Sequence, residues 1–339
     1  MHSRARAWYE RRTWHWRDWP GEVLLDGKRR ADARISVVIP ARDEERTIAD
    51  VVGSLRADVV ERIPLVDEVV VIDSDSADGT AAAAARAGAT VHRARDVAPE
   101  FGAYPGKGEA LWKSLLVTDG DLLVFIDADL TLWGPHFVTG LLGPLLADPS
   151  VLLVKGFYAR VAAGTDGSAS TEGGRVTELV ARPLLSLWWP ELSGVVQPLA
   201  GEWAARRELM ESLPIPVGYG VELSTLLDTS ARSGLDAIAQ VDLGSRAHKH
   251  QSVHDLALMA AELLIVAERR RPPPTSPSAS TAALPASPRL QQFVREDDRV
   301  RPLTRPVPAQ ERPPVADLLP RRPAGHLSGG PADRDGVQR

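Results

Sequence analysis

The first 130 positions alternate short apolar runs with stretches of helical spacing. Residues 35–40 (ISVVIP) form an apolar run of strand length. Beyond Asp43, Ile48, Val51, Val52 and Leu55 fall on one face of a helix. Residues 68–73 (EVVVID) predict a second buried strand, then a Ser/Asp/Gly turn and an alanine-rich helix from about Thr80. Residues 90–92 predict a short third strand, 107–117 a helix, and 122–127 (LLVFID) another buried strand. This alternation predicts βαβ units on a parallel sheet. Ligands of such sheets bind beyond the carboxyl ends of the strands. Three of those ends are polar: Pro40-Ala41-Arg42-Asp43-Glu44, Asp73-Ser74-Asp75-Ser76 and Asp127-Ala128-Asp129.

Composition changes this picture mainly at the two ends of the chain. At 339 residues and 44% hydrophobic, the chain can bury a sizeable core. Zero cysteines exclude disulfides, thiolate nucleophiles and Cys-ligated zinc, and they suit a reducing cytoplasm. No apolar run reaches the roughly 18 residues of a membrane span, so no membrane partner is expected, and no nucleic acid. A dinucleotide oxidoreductase or P-loop kinase loses support because neither glycine-rich phosphate loop is present. From Arg271 onward, 14 of the 27 prolines and 11 Arg against seven acidic residues give a stretch of charge +4, leaving −9 on the rest. Its Pro and Ser content predicts a disordered tail, dispensable for activity and stability. At the other end Trp8, Trp14, Trp16 and Trp19 form an arm expected to pack on the core or on a second subunit.

Asp127-Ala128-Asp129 is the sharpest candidate for chemistry. Carboxylates at i and i+2 of an extended chain share one side. Their hard oxygens suit Mg²⁺ or Mn²⁺, which also bridge the oxygens of a diphosphate; the plain alternative is a solvated turn. Pro105-Gly106-Lys107-Gly108-Glu109 opens a helix, where glycines, free amides and one ammonium would make an anion site. Gly173-Gly174-Arg175-Val176-Thr177 repeats that arrangement with a guanidinium and a hydroxyl. Tyr219 and Glu222 offer a phenol and a carboxylate after a glycine turn, and Arg246-Ala247-His248-Lys249-His250 is a basic cluster in which His248 can complete a metal site at Asp129.

In order along residues 30–260, PARDEERTI, VIDSDSADGT, PGKGEALWKSL, VFIDADL, GGRVTELVARPLL, QPLAGE, GYGVE, GLDAIAQVDLG and RAHKH resemble the blocks of actinobacterial glucosyl-3-phosphoglycerate synthases. The resemblance implies an α/β GT-A fold, a Rossmann-like nucleotide-sugar-binding mixed sheet flanked by helices. It implies metal-dependent, retaining transfer of glucose from a nucleotide diphosphate glucose, chiefly UDP-glucose, to the 2-hydroxyl of 3-phosphoglycerate, by a homodimer. Carried over by position, Pro40, Ala41, Arg42, Glu44 and Ser74 would line the uridine pocket, with Lys107 beside the nucleotide. Asp127, Ala128 and Asp129 would surround ribose, diphosphate and metal. Asp129 and His248 match metal ligands, and Asp129, Lys107 and Glu222 would carry catalysis. Gly174, Arg175 and Thr177 match the phosphoglycerate site, with Tyr219, Glu222, Arg246 and His250 nearby for sugar and acceptor. Ala128 stands where Ser is common, Arg42 replaces an apolar residue, and His250 stands where Asn is frequent. The implied organisation is an arm to residue 30, a nucleotide-sugar half over 31–160, an acceptor half over 161–270 and a tail over 271–339. Competing readings are a mannosyl-3-phosphoglycerate synthase using GDP-mannose, a polyprenyl-phosphate sugar transferase, and a non-catalytic nucleotide-sugar binding protein.

Overall fold

The computed structural model describes residues 1–162, 169–170, 174–248, 252–272, 284–296 and 299–318. The arm supplies α1 (Ser3–Arg12), β1 (Thr13–His15) and α2 (Gly21–Ala31). The predicted alternation follows as β2 (Ile35–Ala41), α3 (Ile48–Leu55), β3 (Glu68–Asp73), α4 (Thr80–Arg86), β4 (Thr90–Arg93), α5 (Lys107–Ser114) and β5 (Leu122–Phe125). The second half runs through α6 (His136–Ala147), β6 (Leu153–Ala162), β7 (Ala169–Ser170), α7 (Arg182–Trp188), β8 (Trp203–Arg206) and α8 (Arg207–Glu211). Then come β9 (Ile215–Pro216), α9 (Val221–Ser233), β10 (Ile238–His248) and α10 (Val253–Arg270). Beyond α10 lie β11 (Arg289–Glu296), β12 (Arg299–Pro306) and β13 (Glu311–Arg312).

One sheet of nine strands orders these as β1-β10-β6-β8-β5-β2-β3-β4, with β7 on β6. Along that path β8 alone is antiparallel, to β5 on one side and β6 on the other. The sheet is therefore mixed, as the family resemblance implies and the all-parallel pattern of the first half does not. Because β8 runs backwards, the residues just before it arrive at the same edge as the carboxyl ends of β5 and β6. The strands of the first half are buried on both faces, from Val37 to Ile39 and from Val69 to Ile72, as apolar runs without alternation require.

The tryptophan arm packs on its own chain. Trp8 is fully buried and its indole donates to Ile238 O (2.9 Å), while β1 extends the sheet beside β10. The tail departs furthest from expectation. Residues 273–283, 297–298 and 319–339 lie outside the described residues. Between them β11 and β12 form a hairpin, β13 pairs with β9, and Val315 is fully buried in the main core. A composition too polar for a core of its own instead borrows one from the body, so the boundary expected at 271 does not hold for residues 289–318.

Candidate active site

β5 ends at Phe125, and Ile126 extends it by one bond to Val38 O (3.1 Å) before the chain turns. Asp127-Ala128-Asp129 thus lies in the turn beyond the strand, not on extended chain. Its two carboxylates still converge on one cation. Arg246 Nη2 lies 3.1 Å from Asp127 Oδ2 and 2.9 Å from Asp129 Oδ1. Arg246 is carried by β10, and its Nη1 donates to the Tyr158 hydroxyl (2.8 Å) and to Glu202 Oε2 (3.1 Å). Glu202, fully buried, is delivered by the reversed β8. Gly201 beside it leaves room for Asp127, because a Cβ there would lie 2.2 Å from the Asp127 Oδ2.

Lys107, the first residue of α5, places Nζ 2.6 Å from Asp127 Oδ1 and 2.8 Å from Glu222 Oε1. Burial opposes its charge, but Asp127 and Glu222 outweigh burial and hold the ammonium well above the usual lysine range. Asp127 is the mirror case: burial opposes ionisation, Lys107 and Arg246 outweigh it, and its pKa falls. Burial raises the Glu202 carboxyl, with Arg246 pulling the other way. Beneath them the buried Lys155 donates to Ala200 O (2.9 Å), and burial pushes it down to about 8. The outcome is a row of alternating charge, Glu222–Lys107–Asp127–Arg246–Asp129. A negatively charged ligand entering here meets two fixed cations, and a metal ion meets carboxylate oxygens.

The start of α5 corrects the sequence reading. Its glycines approach protein backbone, not a ligand: a Cβ on Gly108 would lie 1.8 Å from Pro216 O, and one on Gly106 2.4 Å from Val217 O. The amides of Gly108 and Glu109 already donate to Gly218 O (3.1 Å) and Val217 O (2.9 Å). The anion-binding capacity of this turn therefore rests on the Lys107 ammonium.

Pro40, Ala41, Arg42, Glu44 and Ser74 gather at the neighbouring ends of β2 and β3, where Ser74 N donates to Ala41 O (2.9 Å). Asp43 adopts left-handed φ (55°) and accepts from Ala77 N (2.8 Å), while Glu44 N donates to Thr80 Oγ1 (2.8 Å). The two turns are thus laced into one wall. Thr47 Oγ1 adds the third strand end by donating to Ala128 O (2.8 Å).

Gly174 and Arg175 begin a helical turn whose Glu178 N donates to Gly174 O (3.0 Å), and Thr177 is buried. Arg160 lies alongside, its Cζ 3.4 Å from where a Gly174 Cβ would be, and it is the strand partner of Arg246. Both guanidinium groups sit over the Tyr158 ring, at 5.6 and 5.5 Å. Tyr219 is part-exposed, and its amide donates to Glu262 Oε2 (2.6 Å) on α10. His248 is the last residue of β10, and His250 lies outside the described residues. Among the described residues no group of three or more His, Asp or Glu is arranged around a metal position. Sequence reasoning missed Glu202, Lys155, Tyr158 and Arg160. For Glu202 and Lys155 a signal existed, a lone charge inside an apolar run (PLAGEWAA and VLLVKGFY).

A glycosyl transferase family 2 model matches residues 36–195. A glucosyl-3-phosphoglycerate synthase from Mycobacterium tuberculosis is 46% identical over 312 residues, 91% of this chain and 93% of the relative. The chain belongs to the glucosyl-3-phosphoglycerate synthase family. It is a glycosyltransferase with the GT-A fold. A second member, from Petrotoga mobilis, is 48% identical over 71% of this chain and 74% of its own. The M. tuberculosis synthase crystallised with Mn²⁺, uridine diphosphate and phosphoglyceric acid superposes with a TM-score of 0.77 at 43% identity, covering 89% of this chain and 96% of that one. A mannosyl-3-phosphoglycerate synthase from Rubrobacter xylanophilus gives 0.83 at 37% identity, over 93% and 98%. Likeness of fold thus spans both sugars, whereas likeness of sequence is higher for the glucosyl members.

Proposed function

We propose that the protein transfers glucose from UDP-glucose to the 2-hydroxyl of 3-phosphoglycerate with retention, using Mg²⁺ or Mn²⁺. The observation that carries this reading is the row of alternating charge from Glu222 to Asp129, seated at the carboxyl end of β5. The M. tuberculosis synthase crystallised with Mn²⁺, UDP-glucose and phosphoglyceric acid supports it. Two anionic substrates need fixed cations in a body of charge −9, and Lys107, Arg175 and Arg246 would provide them.

The donor set suits a divalent ion, because the carboxylates of Asp127 and Asp129 already converge on a single cation and Asp129 is part-exposed. Asp129 would hold the ion together with His248. When bound, it offsets the charge that builds on the departing diphosphate. Lys107, fixed between Asp127 and Glu222, stabilises the same oxygens without reorganising. Pro40, Ala41, Arg42, Glu44 and Ser74 receive the uridine, Asp127 and Ala128 the ribose and diphosphate, and Tyr219 and Glu222 the sugar. Gly174, Arg175 and Thr177, with Arg246 and His250, hold phosphoglycerate so that its 2-hydroxyl faces the anomeric carbon.

The new carbon–oxygen bond forms on the face from which the diphosphate departs, and the hydroxyl proton passes to the leaving phosphate. Pairing of Glu222 with Lys107 at 2.8 Å supports this front-face course over a covalent one through Glu222. The reading includes the nucleotide-sugar and acceptor halves meeting near residue 160, a cytoplasmic location in keeping with a cysteine-free chain, and a homodimer as in the family. The Rubrobacter likeness favours a second reading, mannose transfer from GDP-mannose. Purified protein is incubated with 3-phosphoglycerate, UDP-glucose or GDP-mannose, and Mn²⁺ or Mg²⁺, and the product is identified by NMR. An α-glucosyl product from UDP-glucose is expected; a mannosyl product, or none, overturns the proposal.

A further inference from the structure

Directly behind Lys107 lies a buried ionic cluster to which the transfer reaction assigns no part. Glu109, two residues along α5, is 1% exposed, and both of its oxygens are gripped by Arg312 from β13: Nε lies 2.7 Å from Oε2 and Nη2 2.6 Å from Oε1. Arg312 also donates to Phe101 O (2.7 Å) and Gly102 O (3.1 Å), in the loop that leads to Gly106. Its guanidinium lies over the rings of Tyr104 and Trp112, at 4.6 and 4.8 Å. Flanking residues fasten the same segment. Gln310 O accepts from Val217 N (3.1 Å), Pro313 O from Trp112 Nε1 (2.8 Å), and Glu311 pairs with Arg270 (2.7 Å).

A forked arginine–carboxylate pair is directional as well as strong, so it sets position and not only charge. The first turn of α5 is held at three points: Gly108 N on Gly218 O, Glu109 N on Val217 O, and the Glu109 carboxylate on Arg312. Lys107 opens that turn. We infer that Arg312 is a positioning residue for the donor, setting through Glu109 where the Lys107 ammonium meets the diphosphate. The C-terminal strap is thereby part of the donor site, although it touches no reacting atom. This rests on the donor-site reading of Lys107. The acceptor residues Gly174, Arg175 and Thr177 belong to a different element, the turn that leads into α7.

The test uses the full-length protein and three variants: Arg312→Met, Arg312→Lys, and Glu109→Gln combined with Arg312→Met. The double variant removes the stranded charge, so it folds if the single one does not. UDP binding in Mn²⁺ is measured by calorimetry, and both Michaelis constants by steady-state kinetics. UDP affinity is expected to fall at least tenfold in Arg312→Met and in the double variant, and less in Arg312→Lys, with KM for 3-phosphoglycerate within twofold throughout. A merely structural role would lower the active fraction, reducing kcat with UDP affinity and both KM values unchanged, and that result overturns the inference. Wild-type protein that does not bind UDP overturns the donor reading itself, so the two failures are told apart.

Discussion

On the proposed reading, removing Asp129 and removing Arg175 should separate metal and donor chemistry from acceptor recognition. Asp129 shares Arg246 with Asp127, so Asp129→Ala should leave the guanidinium paired and the fold intact while deleting the carboxylate proposed to hold the metal. Turnover is expected to be lost without a change in melting temperature; a folded variant with near-normal kinetics would remove Asp129 from the chemistry. Arg175 stands at the start of the helical turn beside Arg160. A charge-assisted hydrogen bond contributes roughly 1.5–3 kcal/mol, so Arg175→Ala should raise KM for 3-phosphoglycerate about ten- to a hundredfold. KM for the donor should hold; the reverse pattern would move Arg175 to the nucleotide site. The places of Asp129 just beyond a strand and of Arg175 at a helix start were legible in the sequence, because both stand in short motifs at element boundaries. Where Glu202 and Arg160 come to lie was not, since only the reversal of β8 carries Glu202 to the Asp127 end of the sheet and only the register of β6 against β10 sets Arg160 beside Arg246.

At the scale of elements, the apolar runs foretold β2 and β3 within a residue, because strands buried on both faces leave no choice of register. The coupling between elements was less accessible. Gly106 and Gly108 read as ligand-facing glycines, yet they exist so that α5 can lie against the backbone of residues 216–218. The same backbone is held from the far side by α10, whose Glu262 accepts from Tyr219 N at 2.6 Å. Burial raises the Glu262 carboxyl from 4.5 to about 7, against the Tyr219 amide, which favours the charged form. Between those values the unfolded chain has lost a proton that the folded chain retains, so stability falls as pH rises from about 4.5 to about 7. The loss is on the order of 3 kcal/mol. Glu262→Gln should flatten that part of the stability–pH curve, measured by urea unfolding at pH 5 and 7.5. An undiminished slope would place the titration elsewhere.

For the whole molecule, the decisive fact is that the C-terminal stretch closes the structure it was expected to leave alone. Proline and arginine content argued for a solvated tail, and composition is blind to a partner that lies far away along the chain. Arg312 and Glu109 are 203 residues apart, and both are buried against each other. Breaking such a pair from one side leaves an uncompensated charge in the interior, at a cost of about 3–5 kcal/mol. Loss of Val315 from the core adds to this. A chain ended after Arg271 should therefore unfold at markedly lower urea than the full protein. Glu109→Gln should cost stability in the full chain, where it breaks the fork, and restore part of it in the shortened one, where it removes the stranded charge. That opposite sign separates the ionic pair from a general loss of contacts. If the shortened chain matches the full one, or if Glu109→Gln acts in the same direction in both, the strap does not hold the body together through Arg312.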